Sequence, residues 1–288
     1  MQKVWFINAL GQEAKFDDIP PYIFWKISGT ALPDSDALGF RVPGRHGYTA
    51  SGVLLNKRNI IVSGHIHGDN NSFYNTRKSL LSVLSPGLGM GRLFYQNGSQ
   101  VYFIPAFVKR SSYDDKENTL QTVTFTFECP SPFWRANNKA VIDLFYAGSG
   151  LEFPLVLPSM FGMINRSAKI FASGGAPVPV EFFIRGNAVN PVIANVTTNQ
   201  SIKIKNEFLA EDMLYINTDR EELTVQRIIK DPLTNEITKE NAFGYLTGDS
   251  ELFYLKPGEN LIKYISDEED DYYRSEIRLE FYERFAGV

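Results

Sequence analysis

Only one cysteine, Cys129, occurs among the 288 residues, so no internal disulfide and no cysteine-based metal knuckle can form. The chain suits a reducing compartment without requiring one. Histidine is nearly as scarce. His46, His65 and His67 lie close together, and no histidine base is on offer after position 67. The three tryptophans, Trp5, Trp25 and Trp134, leave residues 135–288 without the ring that stacks best on a sugar face. No apolar run reaches the ~18 residues of a membrane span, so no membrane partner is expected. Met1 to Leu10 carries one lysine and an interrupted apolar stretch, followed by Gly11-Gln12-Glu13. It reads as a first strand rather than a signal peptide. The G-x-S-x-G elbow of serine hydrolases, internal repeats and low-complexity tracts are all missing.

What is present is globular material with extra aromatics: 43% hydrophobic, 14% aromatic and 22% charged, enough for two sizeable cores. At ~100–200 residues per domain, the length suggests two. The net charge of −4 hides an inversion. Residues 1–135 hold 14 Lys and Arg against 10 Asp and Glu, whereas residues 136–288 hold 15 against 23. Chance drift over a solvated surface produces the same pattern, but Pro130-Ser131-Pro132 falls at the same place. The expected domains are therefore 1–135 and 136–288, with residues 139–150, and Gly148-Ser149-Gly150 above all, as the exposed linker.

Strand signals dominate. Val123, Phe125, Phe127 and Cys129 alternate with Thr122, Thr124, Thr126 and Glu128, a period of two that buries one face. Ile277, Leu279 and Phe281 alternate in the same way, as do Ile202 and Ile204. Shorter runs include Val53 to Leu55, Ile60 to Val62, Leu93 to Tyr95 and Val101 to Ile104, separated by turn residues as in sandwiches and barrels. One segment reads as a helix. Ser72 is its expected N-cap, and Phe73, Arg77, Leu80, Leu81 and Leu84 share a face. Pro86-Gly87 ends it. The fold class is mainly β with one packed α-helix.

Constellations that could carry chemistry are weak. His65 and His67, two apart on a strand, project from one face, but no spacing supplies a further zinc ligand. They read as structural. Gly87, Gly89 and Gly91 follow a helix and precede a strand, the reverse of a phosphate-cradling loop, and read as a turn. Cys129 lies on an apolar strand face and reads as a small core residue. Glu221-Glu222 reads as solvated surface. Asp267-Glu268-Glu269-Asp270-Asp271 lacks the ligand spacing of a calcium loop and reads as a solvated hairpin tip. No catalytic, cofactor or metal site is expected, and the chain is read as not an enzyme.

The ordered series of short motifs resembles the distal tail proteins of siphophages, the siphovirus tail component family. In the first half these are Pro43-Gly44-Arg45-His46-Gly47, Arg58-Asn59-Ile60-Ile61-Val62-Ser63-Gly64, the helix with Arg77, Leu80 and Leu84, Gly91-Arg92-Leu93-Phe94-Tyr95, Tyr102-Phe103, and the strand Val123–Cys129 leading to Pro132-Phe133-Trp134. The second half continues with Phe153-Pro154, Pro158, Gly175-Ala176-Pro177-Val178-Pro179, Asn190-Pro191-Val192-Ile193, Asp212-Met213-Leu214-Tyr215-Ile216-Asn217 and Leu255-Lys256-Pro257-Gly258-Glu259-Asn260. Glu211 and Asn217 depart from the glycine and aspartate common in the family.

The resemblance implies an N-terminal tail-tube-like β-sandwich with one helix and a C-terminal galectin-like β-sandwich. It implies a homo-hexameric ring, a structural hub of a phage or prophage tail tip or baseplate. The ring would join the tail tube protein to the tip or tail-associated lysin protein and to receptor-binding proteins. DNA would pass through its channel without specific binding, which calls for a wall that is not strongly basic. The localisation implied is the virion tail tip, and the host cytoplasm before assembly. The alternative reading is a carbohydrate-binding module for host surface sugars.

Overall fold

A computed structural model of the chain describes residues 2–68, 72–117, 119–144, 166–231, 234–268 and 275–288. They divide into two compact units, Met1–Asn137 with Phe285–Val288, and Asn138–Arg284. The last four residues thus belong to the first unit, not to the second as the 136–288 expectation had it. Gly148-Ser149-Gly150, Phe153-Pro154 and Pro158 lie outside the described residues.

The first unit holds β1 (Gln2–Ile7), β2 (Glu13–Phe16), β3 (Tyr22–Ser28), β4 (Ser35–Phe40), β5 (Thr49–Leu55), β6 (Arg58–His67), α1 (Phe73–Val83), β7 (Gly91–Asn97), β8 (Gln100–Tyr113), β9 (Leu120–Cys129) and β10 (Trp134–Ala136). Its main sheet runs β2-β1-β7-β8-β9-β6-β3. The long strand β8 serves two neighbours along this path and pairs with β10 off it. Gln100 to Ala106 pairs with β7, and Phe107 to Tyr113 pairs with β9 across a register shift between Val108 and Arg110. Such an irregularity bends and twists a strand, which lets one sheet fold over on itself. The Phe6 and Phe127 rings, from opposite halves of the path, then meet at 5.2 Å, and those of Phe16 and Phe125 at 6.1 Å. Val123, Phe125, Phe127 and Cys129 all point into this core, as the alternation predicts.

Helix α1 packs Phe73 and Leu80 into the same core, with Leu84 just beyond its last turn. Ser72 is the N-cap residue, as expected, but it caps without its side chain. Its side chain makes no capping hydrogen bond to the helix, while its carbonyl accepts the first helical bond from the Thr76 amide at 2.9 Å. A short 3-10 turn, Pro86–Leu88, links the helix to β7. Gly91 is required where it stands, because a Cβ there would lie 2.4 Å from the Ile7 carbonyl oxygen and 2.4 Å from the Phe6 ring.

The second unit is a β-sandwich. Its strands are β11 (Ala140–Asp143), β12 (Ser167–Ala172), β13 (Glu181–Gly186), β14 (Ala188–Val189), β15 (Val192–Asn195), β16 (Gln200–Lys203), β17 (Glu207–Phe208), β18 (Asp212–Asn217), β19 (Thr224–Lys230), β20 (Ile237–Asn241), β21 (Gly258–Ile265) and β22 (Ser275–Phe281). One sheet runs β11-β22-β13-β18-β19-β20 and the other β12-β21-β15-β16. Phe182, Ile184, Leu214, Ile277 and Leu279 face Ile170, Ile193, Ile202, Ile262 and Tyr264 across a single core. That is how two half-apolar sheets hide their inner faces.

Two expectations fail here. Strands β21 and β22, which flank the acidic run from Asp267, belong to different sheets. The described part of the run, Asp267 and Glu268, therefore does not enter a β21–β22 hairpin; its residues 269–271 are outside the described residues. Residues 140–143, expected in an open linker, pair with β22 as the edge strand β11.

Candidate assembly interface

The residues singled out for chemistry are not brought together. His65 Nδ1 lies 3.2 Å from the Thr122 hydroxyl, and its ring stacks on Trp25 at 5.4 Å, while His67 is exposed. Among the described residues, no group of three or more His, Cys, Asp or Glu is placed to hold a metal. Cys129 is fully buried, and burial pushes its thiol up to about 12 against the opposing pull of the Arg58 charge. The Glu221 and Glu222 side chains are exposed.

What stands out is the hairpin of β4 and β5. Among the described residues it pairs with no other strand, and its register runs from Ser35↔Leu55 to Phe40↔Thr49 with a shift at Leu38/Gly39. The turn Pro43-Gly44 to Gly47 closes it, with Gly44 at φ 81, a value that L side chains rarely adopt. At its root the Asn56 amide donates to the Asp34 carbonyl at 2.9 Å, and Asn56 Nδ2 to Asp36 Oδ2 at 2.9 Å. From Asp34 to Leu55 every residue is exposed.

Those residues include a concentration of apolar surface. Phe40 is 60% exposed, Val53 63% and Leu54 57%, and Leu38, Val42, Tyr48 and Leu55 are also open to solvent. Directly paired residues share a face, so the register puts Leu38 and Leu54 near one another on one side, and Val53 and Leu55 on the other. Both faces are therefore apolar and bare. An isolated two-stranded hairpin is at best marginal in water. A lone exposed leucine is ordinary, but a contiguous apolar patch marks an interaction surface. The hairpin also carries Arg41, Arg45 and His46 at its turn, with no acidic residue between Asp36 and Lys57.

The sequence had marked Val53–Leu55 as a strand and Pro43–Gly47 as a motif, but neither as part of an uncovered arm. Period-two alternation identifies a strand without saying whether anything packs on it.

The family models match both units. Residues 11–129 match a phage tail protein RIFT-related domain, and residues 173–285 match the C-terminal domain of the siphovirus-type tail component. The chain belongs to the distal tail protein family, the siphovirus tail components. This is the family that the ordered motifs resemble. The fold agrees over its full length. The crystal structure of SPP1 Dit (gp 19.1), described as a paradigm of the hub adsorption apparatus in phages infecting Gram-positive bacteria, matches with a TM-score of 0.66. That match has 12% identity and covers 99% of each chain. A chain of the phage P2 baseplate in its activated conformation with calcium matches at 0.59, with 14% identity and 100% of each chain covered. The strontium form of that baseplate matches at 0.56, with 14% identity over 97% of this chain and 98% of that one. No curated protein sequence matches this one.

Proposed function

We propose that this chain is the structural hub of a phage or prophage tail tip or baseplate. Six copies form a ring that joins the tail tube to the tip proteins and to receptor-binding proteins, with the first unit making the ring. The second unit is a galectin-like sandwich that presents docking surface and carries out no catalysis. The β4–β5 hairpin is the observation that supports this most directly. A monomer gains nothing from an arm that is apolar on both faces, whereas a closed ring covers each copy's arm with its neighbour. Family membership in both units, and a likeness in fold to a hub protein over the full chain, support the same reading. Assembly in the host cytoplasm before incorporation into the virion fits the lone buried thiol.

Light scattering and negative-stain microscopy of the full chain across a concentration series test the proposal, alone and with tail tube protein. Six-fold rings at high concentration, or beside the tube protein, are the expected result. A chain that stays monomeric under both conditions overturns it.

A further inference from the structure

Every residue from Asp34 to Leu55 is exposed, so among the described residues nothing buries the arm along its length. The direction in which it points is decided at the root, and the root is built from three pieces of chain far apart in sequence. Residues Gly29 to Leu32 lead into β4, and Arg58 follows β5 as the first residue of β6. Residues 286–288 lie against them, 228 positions beyond Arg58.

Arg58 is 5% exposed, and its guanidinium ties the three together. Nη1 donates to the carbonyl oxygens of Gly29 at 3.1 Å and Ala31 at 3.0 Å, and Nη2 donates to that of Ala286. From the other side the Val288 amide donates to the Thr30 carbonyl at 3.0 Å. Gly287 sits close over the same leg. A Cβ there would lie 3.2 Å from the Ala31 carbonyl carbon and 3.3 Å from the Leu32 amide. Phe285 anchors the segment to the sheet, its ring edge-on to Tyr102 at 5.3 Å, and both Phe285 and Val288 pack against the first unit's core.

We propose that residues 286–288 are a clasp that fixes the direction of the β4–β5 arm, with Arg58 as the pin joining clasp to arm. A planar guanidinium with five N–H donors holds carbonyls on separate segments in one fixed geometry, which a point-like ammonium does not. Without the clasp, Thr30 loses the donor to its carbonyl and Arg58 loses one of its three acceptors. Between Gly29 and the hairpin the entering leg is then tied back only through Arg58, and the arm, whose Asn56 bonds join its two legs to each other, is free to swing. Of the clasp only Val288 touches the globular core, and only as a partly buried residue at its margin, so the core does not need the clasp to fold. The inference goes beyond the ring reading and stands without it, since a rigid arm is a property of the single chain.

The test is pulsed electron–electron distance measurement on the full chain, spin-labelled at Ala37→Cys on the arm and Ser112→Cys on β8 and diluted with unlabelled protein. Buried Cys129 stays unlabelled. The intact chain gives one narrow distance peak. Deletion of 286–288 loses that narrow peak to a broad distribution, and so does Arg58→Lys, which keeps the charge but not the fork. In both variants the cooperative thermal unfolding of the first unit survives. A peak equally narrow in both variants overturns the clasp. So does loss of cooperative unfolding in both, because the segment would then be a folding element and not a positioning one. Ring formation, read separately by microscopy, bears only on the proposed function.

Discussion

Asp219 and Arg284, 65 positions apart, form a buried ion pair, with Nη2 2.6 Å from Oδ2 and both side chains less than a tenth exposed. Asp219 also organises its own turn. Its Oδ1 accepts from the Glu221 amide at 3.3 Å, and its carbonyl accepts from the Glu222 amide at 2.9 Å. Arg284 is the last residue of the second unit, so the pair fastens that unit just before the chain leaves it. Breaking a buried pair by removing one partner strands the other charge, at a cost of about 3–5 kcal/mol. Asp219→Ala should lower the stability of the second unit by that order. Asp219→Asn, which keeps an acceptor for the turn, should cost less. Urea unfolding of the full chain decides it, and equal losses for the two variants would mean that the charge, and not the turn, is what matters.

The arm predicts a separation between assembly and stability. Leu38→Ser, Phe40→Ser and Val53→Ser alter only exposed positions, and surface substitutions of this kind shift folding by about 0.5 kcal/mol or less. Together they should leave the melting temperature of the single chain almost unchanged while abolishing rings in light scattering and microscopy. Rings that persist in the triple variant would move the interface off the arm.

Cys129 predicts a pH dependence. Its thiol ionises near 9.0 when solvated and only near 12 in the folded chain. Between those values the unfolded chain releases a proton that the folded chain keeps, so this residue's contribution to stability falls as pH rises above about 9. The slope of stability against pH in that window should be shallower in Cys129→Ala. At pH 8 a thiol reagent should leave the native chain unmodified and label it once on denaturation. Rapid labelling of the native state would contradict the burial.

The tryptophans predict an outcome for the sugar-binding reading. Trp134 is fully buried, Trp5 stacks on Phe94 at 5.1 Å, and Trp25 is occupied by His65 at 5.4 Å and Lys26 at 4.6 Å. All three belong to the first unit. The full chain should show no saturable binding on a glycan array, and clear saturable binding would restore the carbohydrate-binding alternative.

Local pattern was enough for much of this chain. The alternation at Val123–Cys129 and Ile277–Phe281 marked buried strand faces, and the three- and four-residue spacing of Phe73, Leu80 and Leu84 marked the helix. Each signal comes from side chains within a few residues of one another, where backbone geometry alone dictates which of them share a face. The ordered turns and strands were also enough to point to the family. Other features depend on contacts that no local pattern encodes. Leu38, Phe40 and Val53 look like core strand residues, and among the described residues no third strand lies beside β4 and β5 to cover them. The acidic run reads as a hairpin until β21 and β22 are seen to pair with different sheets. Arg58 looks like any charged residue opening a strand, and its burial depends on three carbonyls, one of them 228 positions away. Apolar spacing records which side of an element avoids water, whereas the partner that does the covering is chosen by the path of the whole chain.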